Sequence, residues 1–164
     1  GVEWKGIDFS MFWQGVAKRD LWLDGPMFWG ISGGEWQSTG LKEHLDYYRP
    51  ENTTSVFGPN TNAYFPKMYM SKDMNQKVQT RYLQNGAYAR LKNIQLGYTF
   101  PTQIINKLHM QKLRVYVSAE NVLTITSLPS GFDPETTYSN YSDGNSGKTY
   151  PLQTTISFGL NATF

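Results

Sequence analysis

The stretch Thr155-Ile-Ser-Phe-Gly-Leu-Asn-Ala-Thr-Phe164 decides the fold. Its even positions, Ile156, Phe158, Leu160, Ala162 and Phe164, are all apolar. Its odd positions, Thr155, Ser157, Gly159, Asn161 and Thr163, are small or polar. Successive side chains of a strand point to opposite faces, so this stretch is a strand whose two faces meet different surroundings. Three more stretches share the design. Ile7 to Gln14 sets Ile7, Phe9, Met11 and Trp13 against Asp8, Ser10 and Gln14, with Phe12 as the exception. Further on, Ile94, Leu96, Tyr98 and Phe100 oppose Asn93, Gln95, Gly97 and Thr99. Finally Leu113, Val115, Val117, Ala119, Leu123 and Ile125 oppose Arg114, Tyr116, Ser118, Glu120 and Thr124, and Asn121 breaks the run. Strands are therefore expected at about 7–16, 88–100, 113–126 and 152–164. Arg90 and Lys92 continue the apolar face of the second strand at one end. They read as charges at an outer rim, beside lipid phosphates or solvent.

The connections differ in kind. Trp4-Lys5-Gly6 is a tight-turn candidate. From residue 17 to about 80 the alternation vanishes among Gly25-Pro26, Gly33-Gly34, Arg49-Pro50 and Gly58-Pro59. A structureless stretch of that length is foreign to an ordinary compact domain. Only Lys42 to Tyr48 suggests a helical turn or two. Pro101 ends its strand because it cannot donate to a ladder. Thr102 reads as the N-cap of a short helix that ends near Leu108. Residues 127–151 are again polar and rich in Gly, Pro, Asn and Ser. Long loops at 17–87 and 127–151 thus alternate with short turns, one of them at 101–112.

Composition narrows the class. The chain has 164 residues, no cysteine, a net charge of +2, 15% aromatic and 17% charged residues. There is no thiolate metal site and no disulfide. The small charge gives no footprint for nucleic acid. No apolar run is long enough for a transmembrane helix. Strands of a membrane barrel are half polar, so they escape that test. Long loops at one end and short turns at the other are the asymmetry of an antiparallel transmembrane β-barrel, with extracellular loops and periplasmic turns. Trp4, Tyr98, Phe100 and Phe164 then fall at the periplasmic ends, where an interfacial girdle is expected. The smallest membrane barrels need about eight strands, and open edges in lipid would leave backbone groups unsatisfied. An all-β chain with four such strands is therefore expected to be the C-terminal part of a larger barrel or to pair with another chain. No signal peptide is visible at Gly1, so for an exported protein the beginning of the chain is expected to be missing.

Several blocks also carry a family resemblance. They are Gly86-Ala-Tyr-Ala-Arg-Leu-Lys-Asn-Ile-Gln-Leu-Gly-Tyr-Thr-Phe-Pro101, Leu113-Arg-Val-Tyr-Val-Ser-Ala-Glu-Asn-Val-Leu-Thr124, Gly131-Phe-Asp-Pro-Glu135, Tyr150-Pro151 and Ser157 to Phe164. Looser pieces are Trp4 to Ser10, Phe12-Trp-Gln-Gly15 and Glu43 to Asn52. In this order and spacing they resemble the C-terminus of SusC/RagA-type TonB-linked outer-membrane transporters. The resemblance implies a barrel of about 22 strands with a plugged lumen, of which this chain holds the last four or so. It implies import of oligosaccharides or peptides across the outer membrane of a gram-negative bacterium, driven by the TonB complex. A SusD-like surface lipoprotein is the implied partner. The plug and the TonB-contacting segment lie outside this chain. A soluble β-sandwich glycan-binding module and a passive porin are the alternatives.

Candidate sites follow. Asp133 and Glu135 flank Pro134 in a loop, and His44 and His109 stand apart, so no catalytic constellation or metal site is read and no cofactor is expected. Asp143-Gly-Asn-Ser-Gly147 resembles part of a calcium loop but lacks the bidentate Glu. The loop aromatics Trp29, Trp36, Tyr47 and Tyr48 are candidates for stacking on a sugar or peptide. Trp29 and Trp36 lead because glycines flank them, while packing of the loop against itself or the lipoprotein is the usual role for such rings. Arg114, Tyr116 and Glu120 should face the lumen, lining a substrate path or meeting the plug and polar neighbours. Ile156, Phe158, Leu160 and Phe164 should face lipid. The resemblance gives the run ending at Phe164 a further role as the signal for barrel assembly.

Overall fold

The computed structural model describes residues 1–30, 40–69, 73–137 and 149–164. Along the chain come β1 (Val2–Trp4), β2 (Ile7–Val16), β3 (Asp20–Trp22), α1 (Gly25–Trp29), β4 (Leu83–Asn85), β5 (Tyr88–Thr99), α2 (Thr102–Ile105), β6 (Lys112–Thr126) and β7 (Thr155–Thr163), with short 3-10 turns between. The chain divides into two compact units. One, residues 1–19, 86–127 and 152–164, is a sheet; the other, residues 20–85 and 128–151, is made of the long connections.

The sheet is five-stranded, in the order β1-β2-β5-β6-β7. Every neighbouring pair is antiparallel. β1 had no counterpart in the sequence reading. It folds back on β2 through Lys5 and Gly6, at φ 47 and 84, so that Trp4 faces Ile7. Left-handed conformation at both central positions is what a two-residue hairpin needs to match strand twist. Gly6 is required twice over, by its positive φ and because a Cβ there would strike the Thr99 carbonyl; its own carbonyl accepts from Thr99 N–H at 2.7 Å.

The register sorts the side chains. Phe9, Leu96, Val117 and Phe158 stand side by side, as do Met11, Ile94, Ala119 and Ile156, and Ile7, Tyr98, Val115 and Leu160. These rows join into one apolar face across four strands. Its side chains are open rather than packed, Phe158 being 83% exposed. The opposite face carries Asp8, Ser10, Gln95, Gly97, Arg114, Tyr116, Ser118, Ser157 and Gly159. Phe12, paired with Asn93, is an apolar residue on this side.

Arg90 differs from expectation. The β2–β5 register shifts between Phe12 and Trp13, leaving Lys92 as an extra residue in β5. Such a bulge reverses the parity of everything beyond it. Arg90 therefore pairs with Gln14 and Thr124 on the polar face, while Leu91 joins Trp13 and Leu123. Arg90 is only 2% exposed, and its Nε donates to Thr124 Oγ1 at 2.7 Å. It is not a rim charge. A matching irregularity in β6 contains Asn121, at φ 52.

The connection between β5 and β6 is short. Pro101, rather than Thr102, occupies the N-cap position of α2, and no side chain caps the helix. Proline has no N–H to leave unsatisfied there and its fixed φ suits the entry.

The loop unit is not structureless. Leu21, Leu23, Phe28, Trp29, Phe65, Tyr82, Leu128 and Phe132 form a buried core. Phe28–Trp29 and Trp29–Tyr82 meet edge to face at 4.9 Å. That geometry sets the positive ring edge against the negative face and adds to the area buried. β3 pairs with β4 to close the unit's own two-stranded ribbon. Residues 42–45 form a 3-10 turn.

Candidate functional site

The polar face of the sheet carries a connected group. Asp8, Gly97, Tyr116 and Gly159 lie opposite one another in a single row across β2, β5, β6 and β7. Bulk and void alternate along it. Arg114, from the next row, reaches over Gly97 and donates to Asp8 through Nε (2.9 Å) and Nη2 (2.5 Å). Its guanidinium also lies 4.8 Å from the centre of the Tyr116 ring. A Cβ at Gly97 would collide with this ion pair, and one at Gly159 would collide with the phenol end of the Tyr116 ring. The two glycines are thus the floor on which the pair and the ring lie. A bidentate guanidinium–carboxylate contact fixes direction as well as distance. It joins strands that are not themselves neighbours. Glu120 stands apart from this group, exposed, opposite Asn93 and Thr155. Of the three residues expected on the polar face, the structure brings two together. Asp8, the partner of Arg114, was not singled out from sequence.

On the apolar face a hollow of about 530 Å³ is lined mainly by Ile7, Leu96, Tyr98, Val115, Val117 and Phe158. Its walls are hydrocarbon and aromatic. Ile156, Leu160 and Phe164 are exposed in the same way as Phe158.

In the loop unit the candidate aromatics separate. Trp29 is 1% exposed and belongs to the core, with its indole N–H donating to Asp24 at 3.2 Å. The ring is not presented to a ligand. The neighbouring glycine has a packing reason: Gly30 is left-handed (φ 59), and a Cβ there would strike the His44 imidazole. His44 is itself buried, accepting from Leu41 N–H at Nδ1 (2.9 Å) and facing the Phe28 carbonyl with Nε2 (3.0 Å). It is a structural crosslink. Trp36 and the 143–147 segment lie outside the described residues. Tyr47 and Tyr48 are different: both line a hollow of about 430 Å³, and Tyr48 is 41% exposed.

Arg49 organises the loop around these tyrosines. It is buried, and it donates from Nε to the Gly58 carbonyl (2.6 Å) and from Nη1 to the Leu45 carbonyl (2.7 Å). Its guanidinium lies 4.6 Å from the centre of the Tyr47 ring. Asp46 ties the same loop from the other direction, accepting from Asn60 Nδ2 at 2.8 Å and from Tyr64 N–H at 3.2 Å. Asp133 accepts from the N–H groups of Glu135 and Thr136, which makes it the cap of a turn. Among the described residues no group of three or more His, Asp and Glu side chains could hold a metal ion.

Comparison with known proteins places these features. No protein-family model matches the chain. It is 36% identical to TonB-dependent receptor P3 of Formosa agariphila, over 99% of this chain and 15% of that protein. TonB-dependent receptor P26 of the same organism is 25% identical over 99% of this chain and 16% of its own length. The RagAB peptide importer in its open-open state superposes with a TM-score of 0.63 at 25% identity, over 98% of this chain and 16% of that one. Its closed-closed state gives 0.61 at 23% identity, over the same shares. The chain spans about a sixth of the length of the proteins it matches. It belongs to the TonB-dependent receptors of the gram-negative outer membrane, as a β-barrel segment of the SusC/RagA type.

Proposed function

We propose that this chain is the C-terminal part of a nutrient importer that takes up oligosaccharides or peptides. The TonB complex drives it through the plug, and a SusD-like surface lipoprotein captures the substrate. One observation carries the reading: a single sheet has a continuous, exposed apolar face and, behind it, a polar face knitted together by Asp8, Arg114 and Tyr116. In water such an apolar face would associate; against lipid it is at home. Ile156, Phe158, Leu160 and Phe164 then face the membrane. Arg114 and Tyr116 face the lumen, where their adjoining rows are a wall that the plug and the passing substrate meet. The long connections lie outside the membrane with the substrate-facing loops.

The test is uptake by cells that carry the full-length protein. Import should stop when TonB is removed and should fall when the adjacent lipoprotein is deleted. Uptake that continues without TonB would mean a passive pore. A full-length protein that stays dissolved without detergent and binds sugar would mean a soluble glycan-binding module.

A further inference from the structure

Two adjoining hollows in the loop unit share Tyr48 and Lys67. The first, about 430 Å³, adds Arg49, Asn52, Thr53, Thr54 and Ser55. The second, about 380 Å³, adds Arg81, Asn75, Thr61 and Tyr82. Among the described residues no carboxylate lines either one. Among the described residues none of the three cations has a carboxylate partner. Arg49 spends its bonds on the carbonyls of Gly58 and Leu45, and Arg81 on those of Tyr64 (3.2 Å) and Ala63 (2.5 Å). The Lys67 ammonium lies over the Tyr69 ring, 5.3 Å from its centre. Carbonyl dipoles and ring faces hold a cation in place without neutralising it. Of the acids near Arg49 in sequence, Glu51 is exposed and outside the lining, and Asp46 is occupied by Asn60 and Tyr64. Cations gathered in a concave, carboxylate-free surface concentrate anions there.

The remaining lining says what sort of anion. Hydroxyls and amides stand between the charges, and the rings of Tyr47 and Tyr48 stand beside them. Rings take the apolar faces of a sugar while hydroxyls and amides take its hydroxyls. Cations repeating from one hollow to the next suit a polymer with an acid on successive units. We propose that these hollows form a groove for an acidic oligosaccharide, with Arg49, Lys67 and Arg81 meeting its carboxylate or sulfate groups. As a statement about cargo it rests on the importer reading; as a statement about binding it stands alone.

Lys67 is the residue to change, because Arg49 and Arg81 also hold the backbone. The experiment measures binding by the full-length protein in detergent. Its probes are a galacturonate hexamer, a sulfated galactan hexamer, a neutral galactan hexamer and hexaglutamate. At least one acidic glycan should bind, more weakly at high salt, and the neutral hexamer should not. Which acidic hexamer binds separates carboxylate from sulfate recognition. Lys67→Glu should weaken that binding about tenfold, since it replaces an attraction with a repulsion, and Lys67→Gln should fall between. Heat-modifiable mobility should confirm that both variants are folded. Equal binding of the neutral hexamer, equal binding of hexaglutamate, no binding of either acidic glycan, or an unchanged affinity in folded Lys67→Glu would each overturn the groove. The importer reading fails separately, by TonB-independent uptake with glycan binding intact.

Discussion

Phe158 and Trp29 are both large aromatic residues, yet one is 83% exposed and the other 1%. The sheet turns its apolar side chains outward in unbroken rows and keeps an ion pair on its polar face. The loop unit does the reverse, burying Phe28, Trp29, Phe65 and Tyr82 against one another. The same kinds of side chain obey the same rule in both places, because burial follows the surrounding medium. Removing apolar area from water stabilises by about 25 cal/mol per Å². For the loop core that gain comes from folding. On the sheet face there is no such gain until lipid covers it.

The comparison breaks most visibly at Trp29. Trp29→Ala should cost about 3–5 kcal/mol, the range for truncating a buried aromatic. Limited proteolysis of the full-length protein in membranes should then cut within residues 20–85 faster than in wild type. An unchanged cleavage pattern would remove Trp29 from the core. Leu160→Arg is next, at about 2–4 kcal/mol for a charge near the bilayer midplane. It should reduce the heat-modifiable, folded fraction in the outer membrane. Asn161→Arg, one residue along on the opposite face, should be much milder, and equal yields from the two would refute the assignment of faces. Gly159→Val should cost about 1–3 kcal/mol by overpacking against the Tyr116 ring. Adding Tyr116→Ala should restore part of the folded yield, and a double variant worse than Gly159→Val alone would deny the ring its place over the glycine.

The smallest effect concerns pH. Burial holds the Tyr82 phenol above its ordinary value of 10.0, with the Arg81 guanidinium opposing. The folded state therefore binds the proton more tightly than the unfolded one. That contribution is fully present below pH 10.0 and is lost as pH rises from there through the folded value. Protection of residues 20–85 from protease should decline over that alkaline range. Tyr82→Phe should flatten the decline, and an identical profile in the variant would assign the loss to other groups.

What was legible in the sequence was what is local. Ile156, Phe158 and Leu160 declare a strand face without help from any other segment, and so do Leu113, Val115 and Val117. β1 is too short, at three residues, for a period to register. Counting in twos from Ile94 puts Arg90 on the apolar face, because the bulge at Lys92 is visible only against its partner strand. The loop core was invisible for the same reason. Phe28 meets Phe132 and Trp29 meets Tyr82, contacts between residues far apart in the chain with no local rhythm. Glycines beside Trp29 suggested an open ring, whereas Gly30 is small because His44 lies against it. The pairing of Arg114 with Asp8 spans 106 positions. Arg114 could be placed on a face from sequence, but its partner could not be named.

The row Asp8, Gly97, Tyr116, Gly159 has a consequence for how such sequences drift over evolutionary time. A larger residue at position 159 is admissible only when position 116 shrinks, and a larger one at 97 only when the contact between 8 and 114 is given up. Related sequences should therefore show correlated substitutions at 116 and 159, and again among 8, 97 and 114. These positions lie on different strands and far apart in the chain. Each lineage should hold a matched set, and chimeras exchanging β7 alone between lineages with different sets should assemble poorly.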